Sequence, residues 1–227
     1  MRTQTKDTSR EDWVVALERE ACALVETLDA DPAARRLFDG GIDSEAYAHY
    51  LAQTYHYVRW TTPLLERARA RMRRLGLHPA LAELLLCKSD EERGHERWLL
   101  ADLRNLGWTA ERVESTPHCD AVKAYVAWNQ YTTQVGVPTA FLGTAYVLES
   151  LSVRRAGGTV ARLLSAGRIP NIHKAVTFLR GHGDVDGDHV EELAEVLRSL
   201  DDPEEQAALI HSARTTRLLY PGFFRER

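Results

Sequence analysis

The chain has 227 residues, enough to bury a sizeable core, and its 44% hydrophobic and 27% charged content is that of an ordinary soluble globular protein. A formal net charge of −4 lacks the basic excess that nucleic-acid binding needs, and arginine-rich stretches such as "RARARMRRLG" (67–76) are balanced by acidic residues elsewhere. Three separated cysteines, Cys22, Cys87 and Cys119, form no CxxC pair, so neither a zinc ribbon nor a disulfide framework is indicated.

The N-terminus "MRTQTKDTSREDW" lacks the apolar stretch of a signal peptide, and no apolar run approaches the roughly 18 residues of a membrane span. A cytoplasmic protein with neither membrane nor nucleic acid as partner is expected. Residues 1–9 read as a flexible lead-in. A first helix follows, from Ser9 or Arg10 to about Leu28, with Trp13, Val14, Leu17, Ala21 and Leu24 at helical spacing. Residues 31–44, punctuated by Gly40 and Gly41, read as a connection. A long second helix runs from Ser44 to about residue 75, kinked near its middle by Pro63.

A third helix covers about 79–105, closed by Gly107, and a fourth about 119–134. Pro138 suits the first turn of a fifth helix through Arg155, which Gly157 and Gly158 separate from a short segment ending at Ala166. The sixth starts near Pro170 and continues to Leu200, and Pro203 opens a seventh that ends near Leu219. No period-two alternation competes with these helices, and no linker divides them. The expected fold is all-α, a single-domain bundle of about seven helices over 1–227.

Three segments carry metal-ligand chemistry. In "GHGDVDGDHVEEL" (181–193), His182, Asp186 and His189 stand at i, i+4 and i+7, within an arc of roughly 60° on one helical face. Imidazole and carboxylate converging from one face suit iron, manganese or zinc, although a solvated charged face can show the same pattern. In "SDEERGHERW" (89–98), Glu92 and His95 have the ExxH spacing of di-iron carboxylate bundles, with Glu91 and Glu96 beside them. In "PTAFLGTAYVLESLSV" (138–153), Glu149 falls in line with an apolar stripe, where an unpaired charge costs several kcal/mol. A metal would supply its partner, and so would an arginine such as Arg154.

The ordered set Glu92-x2-His95, Glu149 and His182-x3-Asp186-x2-His189 resembles the heme-oxygenase-like diiron oxidases and oxygenases. This branch belongs to the superfamily that also holds heme oxygenase, the TenA-type thiaminases and the pyrroloquinoline quinone synthase. The resemblance implies a heme-oxygenase-like fold and a pair of ferrous ions held by those six residues. It also implies O2 as co-substrate and oxidation of a bound small molecule, without heme. Some members place the first carboxylate two turns before the histidine, where this chain has Lys88. On the ExxH form the carboxylate is Glu92, with Glu91 as fallback, and His56 and Glu66 are candidates for a seventh ligand from the second helix.

Residues 10–28 contain no histidine that could serve as a proximal heme ligand, and Cys87 and Cys119 have no evident base partner for TenA-type chemistry. The expected substrate is an amino acid or amino-acid-derived amine in a biosynthetic pathway, with a fatty acid as alternative. Metal-free TenA-like hydrolysis and a non-enzymatic helical protein are the readings from other classes. Arg59, near Tyr55 and Trp60, can hold a carboxylate bidentately, and Arg154 and Tyr146 are further substrate candidates, although each is equally explained as a surface charge or core packing. An external electron donor and a homodimer are the other expected partners.

The three glycines at 181, 183 and 187 each cost a helix roughly 0.5–1 kcal/mol relative to alanine. Two explanations remain open on the sequence. Metal ligation can hold such a segment, because ligation energy becomes folding energy, or the glycines can admit close helix packing.

Overall fold

The computed structural model describes residues 13–183 and 188–225, with the side chains of Asp188, His189 and Glu192 outside the description. The expected lead-in at 1–9 and the candidate ligand Asp186 therefore lie outside the described residues. Among those described, every regular element is a helix, in twelve α-helical segments and three short 3-10 turns. The larger number than about seven arises because predicted helices are divided and predicted connections are helical.

The first helix, α1, spans Trp13–Ala30 and buries Val14, Leu17, Ala21, Leu24 and Leu28. The expected connection at 31–44 contains α2, Pro32–Phe38. Asp31 caps it, its Oδ1 accepting from the backbone of Ala33 at 2.9 Å and Ala34 at 3.2 Å, with Pro32 in the first turn where its missing N–H is not needed. The expected long second helix is divided into α3, Ser44–Val58, and α4, Thr61–Leu75. The division falls at Arg59–Trp60, so Pro63 sits in the first turn of α4 and kinks nothing.

The third expected helix is likewise two, α5 (Pro79–Glu92) and α6 (His95–Asn105). Between them Arg93 is extended and Gly94 adopts φ 97°, a left-handed conformation that favours glycine. A short α7, Ala110–Ser115, precedes α8, Asp120–Gln134. A 3-10 turn at Pro138–Ala140 leads into α9, Phe141–Ala166, which continues through Gly157 and Gly158 without the expected interruption. The remaining helices are α10 (Thr177–Gly183), α11 (Asp188–Arg198) and α12 (Pro203–Leu219).

The long α9 packs against α1, α10 and α12, while α4 pairs with α5 and α8. One cluster of buried apolar side chains joins these layers, including Leu17, Leu51, Met72, Leu85, Leu99, Val147 and Phe223.

The position of α10 is set by polar contacts from other elements. Asp102 of α6 is buried, and its carboxylate accepts from the backbone N–H of Thr177 at 3.0 Å and of Phe178 at 2.9 Å. It thus serves as a cap for a helix to which it does not belong. Tyr47 of α3 donates to the carbonyl of Ala175 at 2.8 Å, and Asn105 donates to that of Lys174 at 2.6 Å.

Replacing Asp102 leaves two N–H groups without their acceptor. Asp102→Ala is expected to cost on the order of 2–4 kcal/mol in chemical denaturation, with Asp102→Asn losing less because its amide oxygen still accepts. Hydrogen exchange should show the loss concentrated in α10.

Candidate metal centre

The division between α5 and α6 determines the geometry of ExxH. Glu92 is the last residue of α5 and His95 the first of α6, so the pair spans a helix break and does not lie on one continuous helical face. Its members remain adjacent, with His95 Nδ1 3.0 Å from Glu92 Oε2. His182, in the last turn of α10, completes a group in which one ligand atom from each residue lies within 4.8 Å of the others.

The rings are held on several sides. His95 stacks on Trp98 with centroids 4.0 Å apart and meets His182 edge to face at 4.9 Å. His182 lies 4.2 Å from the ring of Phe178, and its Nδ1 is 3.0 Å from the Phe178 carbonyl oxygen. A ring nitrogen facing a carbonyl must carry the proton. Nδ1–H therefore donates, and Nε2 keeps the lone pair that a metal requires.

Two of the glycines in this region have packing reasons. A Cβ at Gly181 would stand 2.7 Å from Cζ3 of Trp98, and one at Gly183 would stand 2.8 Å from the backbone nitrogen of Gly157. Close approach of α10 to α6 and α9 thus accounts for both. Gly187 lies outside the described residues.

Glu149 of α9 faces the same cavity as Glu92, His95 and His182. Its Oε2 is buried and has no hydrogen-bond partner among the described residues. Burial drives its pKa up to about 7; Lys88 opposes the shift, while the negative charges of Glu92 and Glu91 add to it. Burial also raises the pKa of Glu92, but the hydrogen bond from His95 and the charges of His182, His95 and Lys88 outweigh this and hold it below the ordinary value. Burial pushes His182 down, favouring the neutral imidazole that binds metals. A buried carboxylate oxygen without a partner, beside a carboxylate and two imidazoles, fits the donor set of an iron site.

Of the six expected ligands, the structure therefore brings Glu92, His95, Glu149 and His182 to one cavity. His189 is in the first turn of α11, but its side chain, like Asp186 entirely, is outside the described residues. Neither seventh-ligand candidate lines the cavity. His56 is fully buried elsewhere, its Nε2 3.0 Å from the Thr116 carbonyl and its ring 3.9 Å from that of His118. Burial and the neighbouring His118 lower its pKa to about 4. Glu66 is exposed and pairs with Arg93 at 3.3 Å. Glu91, the fallback carboxylate, pairs with Lys88 at 3.0 Å.

The five residues expected to bind substrate do not line the cavity either. Arg59 and Tyr55 both bind Glu114, at 2.9 and 2.5 Å. Trp60 packs at the rim of the core with the Arg67 guanidinium 5.8 Å from its ring. Tyr146 donates to Glu18 at 2.8 Å, and Arg154 pairs with the same carboxylate. Their partners come from distant parts of the chain, which the sequence could not pair with them. The cavity, of about 430 Å³, is instead walled by aromatic side chains including Tyr50, Tyr57, Tyr125, Phe141, Tyr220 and Phe224, together with several leucines. These tyrosines were hidden by helical spacing that is equally that of a core.

The raised pKa of Glu149 has a definite sign for stability. Between about pH 4.5 and 7 the folded, metal-free protein holds a proton that the unfolded chain releases, so stability falls as pH rises through that window. Glu149→Gln is expected to raise the thermal midpoint of EDTA-treated protein at pH 8, worth a few kcal/mol, and to leave it little changed at pH 4. A midpoint difference independent of pH would contradict this account.

Solved structures share the architecture. A domain of unknown function with a heme oxygenase-like fold from Shewanella denitrificans superposes with TM-score 0.79 at 20% identity, covering 93% of this chain and 90% of that one. A TenA homolog from Pseudomonas syringae gives 0.72 at 16% identity, covering 99% and 96%, and a TenA homologue from P. horikoshii gives 0.68 at 16%, covering 93% and 96%. At these identities the likeness establishes the fold, which is heme-oxygenase-like. No curated protein sequence matches the chain. The family model described as iron-containing redox enzyme matches residues 48–220, which include Glu92, His95, Glu149 and His182, and the chain belongs to that family.

Proposed function

We propose that this protein is a non-heme diiron oxygenase or oxidase that uses O2 to oxidise a small carboxylic acid with an apolar body. The observation that carries the reading is the partnerless buried oxygen of Glu149 in the cavity that also receives Glu92, His95 and His182. Those four residues, with Asp186 and His189, are the proposed iron ligands. Bound iron would supply the electrons and Lewis acidity that O2 reduction requires.

The chain's own residues prepare the site. The Phe178 carbonyl fixes the tautomer of His182, and Trp98 fixes the plane of His95. The aromatic and leucine walls exclude water and hold the body of the substrate. That apolar lining favours a substrate with a hydrocarbon or aromatic body. An external electron donor is part of the proposal.

The TenA-type alternative needs a cysteine nucleophile, and the placement of the cysteines favours iron. Cys119 Sγ accepts from the Val122 backbone at 3.4 Å and caps α8, Cys87 is exposed, and Cys22 is 3.5 Å from Glu18. None of them lines the cavity. No helix among the described residues is long and apolar enough to cross a membrane.

Anaerobic titration of metal-free protein with ferrous iron should saturate near two ions per chain, as a di-iron carboxylate site requires. His95→Ala, Glu149→Ala and His189→Ala should each weaken iron binding by more than roughly a hundred-fold and abolish O2 consumption, with modest loss of helicity. Saturation at one equivalent, or full activity in two of these variants, would rule out the dinuclear assignment.

A further inference from the structure

On α5, Leu81, Leu85 and Ser89 are buried, and Lys88 and Glu92 line the cavity on the same inward stripe. An apolar side chain is the expected occupant of position 88, one turn before Glu92. The lysine side chain is only 17% exposed, and Nζ lies 3.0 Å from Glu91 Oε2, on a carboxylate that is itself 53% exposed. Burial opposes the ammonium charge. The bond to Glu91 and the charges of Glu149, Glu91 and Glu92 more than offset this and raise the pKa above the ordinary lysine value.

Stability does not explain such a residue. Replacing a largely buried ion pair by a well-packed apolar side chain is often neutral or stabilising. The structure instead leaves Lys88 with donor capacity in hand. An ammonium has three N–H donors, and among the described residues Lys88 has one hydrogen-bond partner. The other cation on the cavity wall, Arg155, is committed, with Nε 3.1 Å from Asp29 Oδ1 and a second guanidinium nitrogen bound to Oδ2.

Metal binding sharpens the difference. Iron would take up the charges of Glu149 and Glu92, and with them much of what holds the Lys88 charge in the cavity wall. An anion entering the cavity would restore the balance.

We propose that Lys88 binds the carboxylate of the substrate, anchoring its acidic end at the wall that carries Glu92, His95, Glu149 and His182. The apolar body then lies along Tyr57, Phe141 and Tyr220. This rests on the proposed function for the identity of the site, but the role of Lys88 can be read without turnover.

The test uses paired probes that differ only in the head group, 4-phenylbutyrate against 4-phenylbutanol and decanoate against decanol. Calorimetric titrations would be made with wild type, Lys88→Met, Lys88→Gln and Lys88→Arg, each metal-free and zinc-loaded, with thermal melts to confirm folding. Wild type is expected to prefer each acid over its alcohol by about ten-fold or more, as a charge-assisted hydrogen bond implies. That preference should vanish in Lys88→Met and Lys88→Gln and persist in Lys88→Arg.

Equal binding of acid and alcohol by wild type would overturn the proposal, as would an undiminished acid preference in the folded Met and Gln variants, which if confined to zinc-loaded protein would assign the carboxylate to the metal. Failure to bind zinc or iron would remove the diiron reading, while the metal-free titrations would still decide the role of Lys88.

Discussion

A carboxylate placed among apolar side chains has to be neutral, paired or metal-bound, and the cavity of this bundle is organised around that constraint. Glu149 meets it in the metal-free protein by rising toward neutrality, its pKa at about 7 and its Oε2 without a partner. Glu92 meets it through His95, whose Nδ1 lies 3.0 Å from Oε2. Two carboxylates and two imidazoles thus line one cavity, a donor set of the kind that iron takes. The chain belongs to a family described as iron-containing redox enzymes, which agrees with that donor set.

His95, His182 and Glu149 converge because the three helices that carry them are locked together by contacts outside the donor set, and Glu92 ends α5, separated from α6 by Arg93 and Gly94. Asp102 on α6 caps α10, so the helix bearing His95 directly positions the helix bearing His182. The glycine at 181 admits Trp98, and Trp98 in turn stacks on His95. Gly183 against Gly157 brings α10 onto α9, which carries Glu149. The packing that explains these two glycines is thus the packing that assembles the site. Steric fit alone therefore favours the geometry in which these side chains meet.

Much of the rest of the cavity lining is aromatic and apolar. Arginines that looked suited to hold a carboxylate are matched elsewhere, Arg59 by Glu114 and Arg154 by Glu18. Among the described residues, Lys88 lines the cavity with a single hydrogen-bond partner, Glu91.

The sequence by itself determined the all-α class, from helical periodicity that no strand pattern opposed. It also singled out Glu92, His95, Glu149 and His182, whose side chains the structure brings to one cavity, because polar residues in ordered spacings stand out against an apolar helix face. Only the tertiary structure decided where helices break. The divisions at Arg59–Trp60 and Arg93–Gly94 depend on how the flanking segments pack, and a single glycine reads the same in a tolerated helix interior such as Gly157 as at a left-handed corner such as Gly94. Charge pairing was equally hidden, since Arg59 with Glu114 and Tyr146 with Glu18 join residues far apart in the chain. The line between core and cavity was also a matter of tertiary structure. Tyr50, Tyr57, Tyr125 and Tyr220 have the spacing of buried core residues, and whether the space between them is filled or open is set by helices that meet only in the folded molecule.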